Sequence, residues 1–315
     1  MSQRQDKIKE LSDADWFQAL EAIGEEKGYF QRLGEQHSVL FAEEAPKLLV
    51  SFETVENARQ LSDDGLPRAL GLLPEWSHLV LLSDGRTWFR DPAVIGYFDR
   101  LIDEGLFEDF DQVVFIGAGA AGYAAASYSV AAPGAHVIAI EPQATLDPRL
   151  TGWDMRFRAE RRRDFTHRFG FAPEMLEAAA AATILFDPTC EDDAMHAALF
   201  ARPNTKLKHL PHLMGYLEPA MADMGILAPM IEHAGAGTLD DATLGQLLRE
   251  RRQHLPYLRN LLAARDCPGR EKSSTAICRH TLARFDAPRI EKRMQALNAV
   301  ARTKSAPKDA LPIHA

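Results

Sequence analysis

The chain has 315 residues, 46% hydrophobic and 26% charged, with a formal net charge of −9 at neutral pH. That composition belongs to an ordinary globular protein, long enough for one large α/β domain with an appendage or for two modest ones. No apolar run approaches the roughly 20 residues that span a bilayer, and the three cysteines, Cys190, Cys267 and Cys278, are too scattered for a disulfide framework. The opening "MSQRQDKIKELSDADW" is polar and unlike a signal peptide, so a reducing cytoplasm is the expected location.

In chain order, residues 12–27 begin with cap-forming residues, and Trp16, Leu20 and Ile23 recur at helical spacing. Apolar, β-rich runs follow at 37–41, 47–52, 78–83, 112–117, 136–141, 183–187 and 206–210. Between the later runs lie helical patterns near 93–107, 121–132, 173–182 and 191–201. Strands alternating with helices predict an α/β fold with a mostly parallel sheet covered by helices on both faces. From 242 to 302 only helix-period patterns remain, among them Leu244, Leu247, Leu248, Leu255, Leu258 and Leu262. The expected organisation is therefore an N-terminal helical segment (1–36), an α/β core (37–241), a helical C-terminal extension (242–302) and a tail (303–315).

The stretch "VVFIGAGAAGYAA" (113–125) admits two readings. Gly117, Gly119 and Gly122 follow a strand and open a helix, and Glu141 ends the next strand 24 residues after Gly117. That spacing fits a Rossmann fingerprint, with FAD or NAD(P) as cofactor and Glu141 on its ribose. A lone fingerprint of this kind is a weak signal, because any turn of small residues between a strand and a helix looks similar.

The second reading rests on Gly117, Gly122, Tyr123, Ala124 and Ala125, on Pro142 and Gln143 after the next strand, and on the upstream "TWFRDPAVIGYFDRL". These resemble the nucleophile elbow of the α/β-hydrolases. The closer likeness is to a bacterial serine-hydrolase-like branch, found in polysaccharide-related contexts, that reads Gly-x-Ser-x-Gly-Gly-Tyr-Ala-Ala. The resemblance covers roughly residues 47–240. It implies an α/β-hydrolase-like core with an acid after a later strand, Asp187, and a base after the last one, His212. Asp192 and Asp193 are alternative acids. It also implies that "HLVLLS" (78–83) lies directly beside the elbow strand.

The sequence departs from that pattern at the decisive position. Gly119 stands where the serine belongs, between Ala118 and Ala120, and Ala121 replaces an elbow glycine. Ser127 and Ser129 lie too far down the helix, and Cys190 is a better core residue than a nucleophile. The reading that follows is a degenerate hydrolase without serine chemistry and with no cofactor. It is either a binding protein or an enzyme that uses the cleft without an acyl-enzyme; the alternative is an FAD- or NAD(P)-dependent oxidoreductase. Gly117, Gly119, Ala120 and Gly122 would line the site of a small-molecule or saccharide-related ligand. His209, His212 and the group Cys190, Asp192, Asp193 and His196 lack a recognised metal-ligand spacing, so no metal is expected.

Charge is unevenly placed. Residues 249–304 carry 14 Lys and Arg against 5 Asp and Glu, and the remainder carries 22 against 40. The cations are spread along amphipathic helices, which favours packing on an acidic surface of the same chain or of a homodimer. A membrane or nucleic-acid partner is not expected, since aromatic interleaving and a helix-turn-helix turn are both missing.

Overall fold

The computed structural model describes residues 12–61, 65–213, 215, 217–267 and 269–305. Of the expected tail, residues 306–315 lie outside the described residues. The chain divides into two compact units, Met1–Leu247 and Leu248–Ala315.

The first unit begins with α1 (Asp13–Lys27), β1 (Gly28–Leu33), β2 (His37–Ala42), β3 (Lys47–Thr54), α2 (Val55–Leu61), α3 (Arg68–Leu72) and β4 (Ser77–Ser83). It continues with α4 (Pro92–Asp103), β5 (Gln112–Ala118), α5 (Ala120–Tyr128), β6 (His136–Ile140), α6 (Pro148–Thr151), α7 (Ala172–Met175) and β7 (Ala181–Phe186). Last come α8 (Glu191–Leu199), β8 (Thr205–His209), α9 (Leu217–Asp223), α10 (Leu227–Gly235) and α11 (Asp241–Leu247).

All eight strands join one sheet in the order β1-β2-β4-β3-β5-β6-β7-β8. The β1–β2 and β2–β4 pairs are antiparallel and every later pair is parallel. Every residue of β4 is buried, as are Val113–Gly117 of β5, so both faces of the central strands are covered.

Three local expectations change. Gly28–Leu33, placed in the N-terminal helical segment, is an edge strand paired antiparallel to β2 through a short turn with Gly34 at φ 64. The expected helix over 173–182 shrinks to Ala172–Met175 and one 3₁₀ turn, because the alanines from Ala181 onward join the ladder between β6 and β8. Alanine favours helix, but pairing with two strands outweighs that preference.

The third change concerns order. "HLVLLS" is not beside β5: β4 pairs with β2 and β3, and β3 takes the place next to β5. The chain therefore goes from β3 outward to β4 and then returns past β3 to β5.

The second unit contains α12 (Leu255–Arg265), α13 (Glu271–Leu282) and α14 (Pro288–Ser305). They close over a small core of Leu262, Cys278, Ala287, Ile290 and Leu297. Cys278 is fully buried there as an apolar filler.

Candidate functional site

At the end of β5 the chain reverses into α5 through one residue. Gly119 has φ 57 and ψ −120, its N–H donates to the Ile140 carbonyl at 2.8 Å, and its own carbonyl accepts the Tyr123 N–H at 2.9 Å. The other two glycines let strand and helix approach. A Cβ on Gly117 would lie 2.2 Å from the Ala121 oxygen, and one on Gly122 would lie 3.0 Å from the Gly117 oxygen. These contacts account for Gly117 and Gly122 by packing within the chain. At Gly119 a Cβ would meet nothing within 4 Å.

This tight turn follows the fifth strand, at the centre of a sheet that opens with an antiparallel edge and continues parallel in the order 1-2-4-3-5-6-7-8. The fold is of the α/β-hydrolase type.

No protein-family model matches the sequence, and no curated protein matches it. Among solved structures, the capsule O-acetyltransferase of Neisseria meningitidis serogroup A is similar at 13% identity, over 59% of this chain and 88% of that one, with a TM-score of 0.35. Brefeldin A esterase, described as a bacterial homologue of human hormone-sensitive lipase, is 12% identical over 69% and 73%, at 0.37. Mouse alpha/beta hydrolase domain-containing protein 10 is 13% identical over 64% and 96%, at 0.33.

In this hydrolase-type fold a cleft of about 360 Å³ opens over Gly119, at the carboxyl edge of the sheet where open α/β folds place ligands. Ala118, Gly119, Ala120 and Ala121 form one wall, faced by Glu53, Arg68, Trp88, Gln143, Phe157 and Glu218. A second cavity of about 440 Å³ lies at the opposite edge, by Gln112 and His136. Backbone strain marks the carboxyl edge. Trp88 and Phe89 after β4, Gly119 after β5, Glu141 after β6 and His212 after β8 all have φ between 48 and 74. Such conformations cost about 1–3 kcal/mol for a residue with a side chain and gather at functional sites.

Asp187 follows β7 and is fully buried. One oxygen accepts the Thr189 N–H and hydroxyl at 2.8 and 2.6 Å, and the other accepts the Leu213 N–H at 3.1 Å. The carboxylate therefore holds the loop that carries His212, one residue before Leu213. His212 is half-buried, with φ 74.

The alternative acids Asp192 and Asp193 both pair with Arg156. Arg156 donates to Asp193 at 2.7 Å, pairs with Asp192 at 3.3 Å, and grips Asp154 at 2.9 Å. Asp154 in turn accepts the Nε2–H of the fully buried His196 at 3.0 Å, while His196 Nδ1 accepts the Ala144 N–H. With Nδ1 occupied as an acceptor the ring is neutral, and burial holds its pKa below the usual histidine range. Cys190 sits 3.7 Å from Arg156, yet burial pushes its thiol up, so it is a poor thiolate. Ser127 and Ser129 are fully buried in the body of the domain.

Glu53 and Glu218 escaped the sequence reading. Burial, and then the Glu218 charge, raise the Glu53 carboxyl to about 7, against hydrogen bonds from the Arg68 and Ala69 amides. Glu141 also rises to about 7, by burial and then by Asp193, and its Oε1 is buried without a partner. The usable signal for Glu53 is an acid closing an apolar strand, the same one that singles out Glu141 and Asp187.

Proposed function

We propose that the chain is a degenerate α/β-hydrolase-like protein whose cleft binds a small molecule without forming an acyl-enzyme. The observation that carries this reading is Gly119. It occupies the apex of the turn after β5, with open space where a nucleophilic side chain would project. Removing a nucleophile costs several orders of magnitude in rate, and neither Ser127, Ser129 nor Cys190 supplies a replacement. Asp187 and His212 are then remnants of an acid and a base, with Asp187 anchoring the histidine loop through Leu213. The bound molecule is of the saccharide-related kind implied by the family that the turn resembles.

A fluorophosphonate probe should leave the native chain unlabelled, while Gly119→Ser should acquire stoichiometric labelling. In that background Asp187→Asn should slow labelling by about 10⁴-fold, as loss of the orienting acid does in serine triads. Labelling of the native chain that survives Cys190→Ala would overturn the reading. A folded Gly119→Ser protein labelled equally with and without Asp187 would remove the remnant assignment. Mass spectrometry of the purified protein under native conditions identifies the bound molecule.

A further inference from the structure

The cavity of about 440 Å³ lies at the first residues of β5 and β6, Gln112 and His136, and shares no lining residue with the cleft over Gly119. Its volume is that of a small-molecule pocket. The buried side chains of Leu101, Phe107 and Val113 give it an apolar wall, continued by the half-buried Phe110. Ile102 also lines it and is 38% exposed, so part of that wall is open. On another side α10 comes close: a Cβ on Gly235 would lie 3.1 Å from Gln112 Oε1.

The charges of this cavity have one sign. Glu108 and Asp111 line it, and neither is in an ion pair among the described residues. No lysine or arginine is among the described lining residues. Arg100, in the last turn of α4, pairs with Glu104 and donates to Gln31, and Lys206 donates to the Leu239 carbonyl at 2.6 Å. His136 adds no cation, since burial and then the Lys206 charge hold its imidazole below the usual histidine range. Helix ends add to the same sign. The last turn of α4 contributes Leu101 and Ile102, and α5 runs on through a 3₁₀ turn to Ala131, which lines the cavity beside Ala132. The carbonyl ends of both helices, each with its partial negative charge, therefore border the cavity. The helix that presents its N-terminus at Gly119 thus presents its C-terminus here.

We propose that this cavity binds a small organic cation, a primary amine on a compact apolar body. The body packs against Leu101, Phe107 and Val113, and the ammonium is held toward Glu108 and Asp111. The ring faces of Phe107 and Phe110 attract the same charge. A carboxylate of similar shape would meet two acids and two helix C-termini and is rejected. The site lies at the other edge of the sheet from Gly119 and does not depend on how that turn is read.

The test uses the full chain and three probes of one shape near neutral pH: benzylamine, benzyl alcohol and benzoate. Binding is followed by NMR through the ring signals of His136, assigned with His136→Gln. Benzylamine should shift these signals to saturation, benzyl alcohol should bind about fivefold more weakly, and benzoate should give no saturable shift. Glu108→Gln combined with Asp111→Asn alters two exposed side chains and should bring benzylamine down to the affinity of benzyl alcohol. Equal affinity for benzylamine and benzyl alcohol, undiminished affinity in the double variant, or benzylamine shifts confined to the Trp88 indole of the other cleft would overturn the proposal. The comparison of the three probes on the native chain decides the matter even if the double variant folds poorly.

Discussion

At Gly117 a Cβ atom would lie 2.2 Å from the Ala121 carbonyl oxygen, whereas at Gly119 it would meet nothing within 4 Å. Gly117 is thus required by contact and Gly119 by conformation alone, since φ 57 with ψ −120 strains any residue that carries a Cβ. Gly117→Ala should force β5 and α5 apart and cost about 3 kcal/mol. Gly119→Ala should cost less, about 1–2 kcal/mol of backbone strain. Urea midpoints measured side by side check the order, and the reverse order would mean that the turn is built differently. The local spacing of the glycines was legible in the sequence. Which of them approaches a helix and which faces open space was not, because both roles call for the same residue.

The 40 residues between β6 and β7 contain two four-residue helices and short 3₁₀ turns, so side chains do most of the work of holding them. Arg90, nearly buried, donates to the Asp164 and Arg168 carbonyls at 2.8 and 2.7 Å. His196, projecting from α8, fixes Ala144 on one side and Asp154 on the other. Asp154→Ala would leave the buried His196 Nε2–H without its acceptor and remove one of the three carboxylates around Arg156. A loss of about 3–5 kcal/mol is expected, as for other broken buried pairs. Limited proteolysis should then cut first within 144–170, where the remaining structure is least self-supporting; unchanged cleavage would show that Arg90 alone secures the segment. His196 was visible in "CEDDAMH" as one member of a polar group. Its partner Asp154 lies 42 residues earlier, in a loop with no periodic pattern to point to it.

Across the whole molecule, buried histidines and half-buried glutamates oppose each other with pH. Burial lowers His37 and His78 to about 4, so acid must force protons into apolar surroundings or unfold the chain. Their stability contribution is present above 6.5 and is lost as pH falls toward 4, with a slope of about 1.4 kcal/mol per pH unit each. Glu53 and Glu141 contribute in the opposite sense between 4.5 and about 7. The native profile should therefore be shallow between pH 4.5 and 6.5. His78→Gln should tilt it toward greater stability in acid; a profile parallel to that of the native chain would contradict the burial of His78. By itself the sequence determined the α/β class, the parallel core, the glycine turn and a helical C-terminal region. Each of these rests on local periodicity, propensity or residue chemistry. Only the tertiary structure decided that β3, not β4, borders the turn, that Gly28–Leu33 is an edge strand, and that Glu53, Arg68 and Glu218 line the cleft over Gly119. Strand order depends on the direction of each crossover and side-chain partnership on chain closure over many residues, and a local pattern encodes neither.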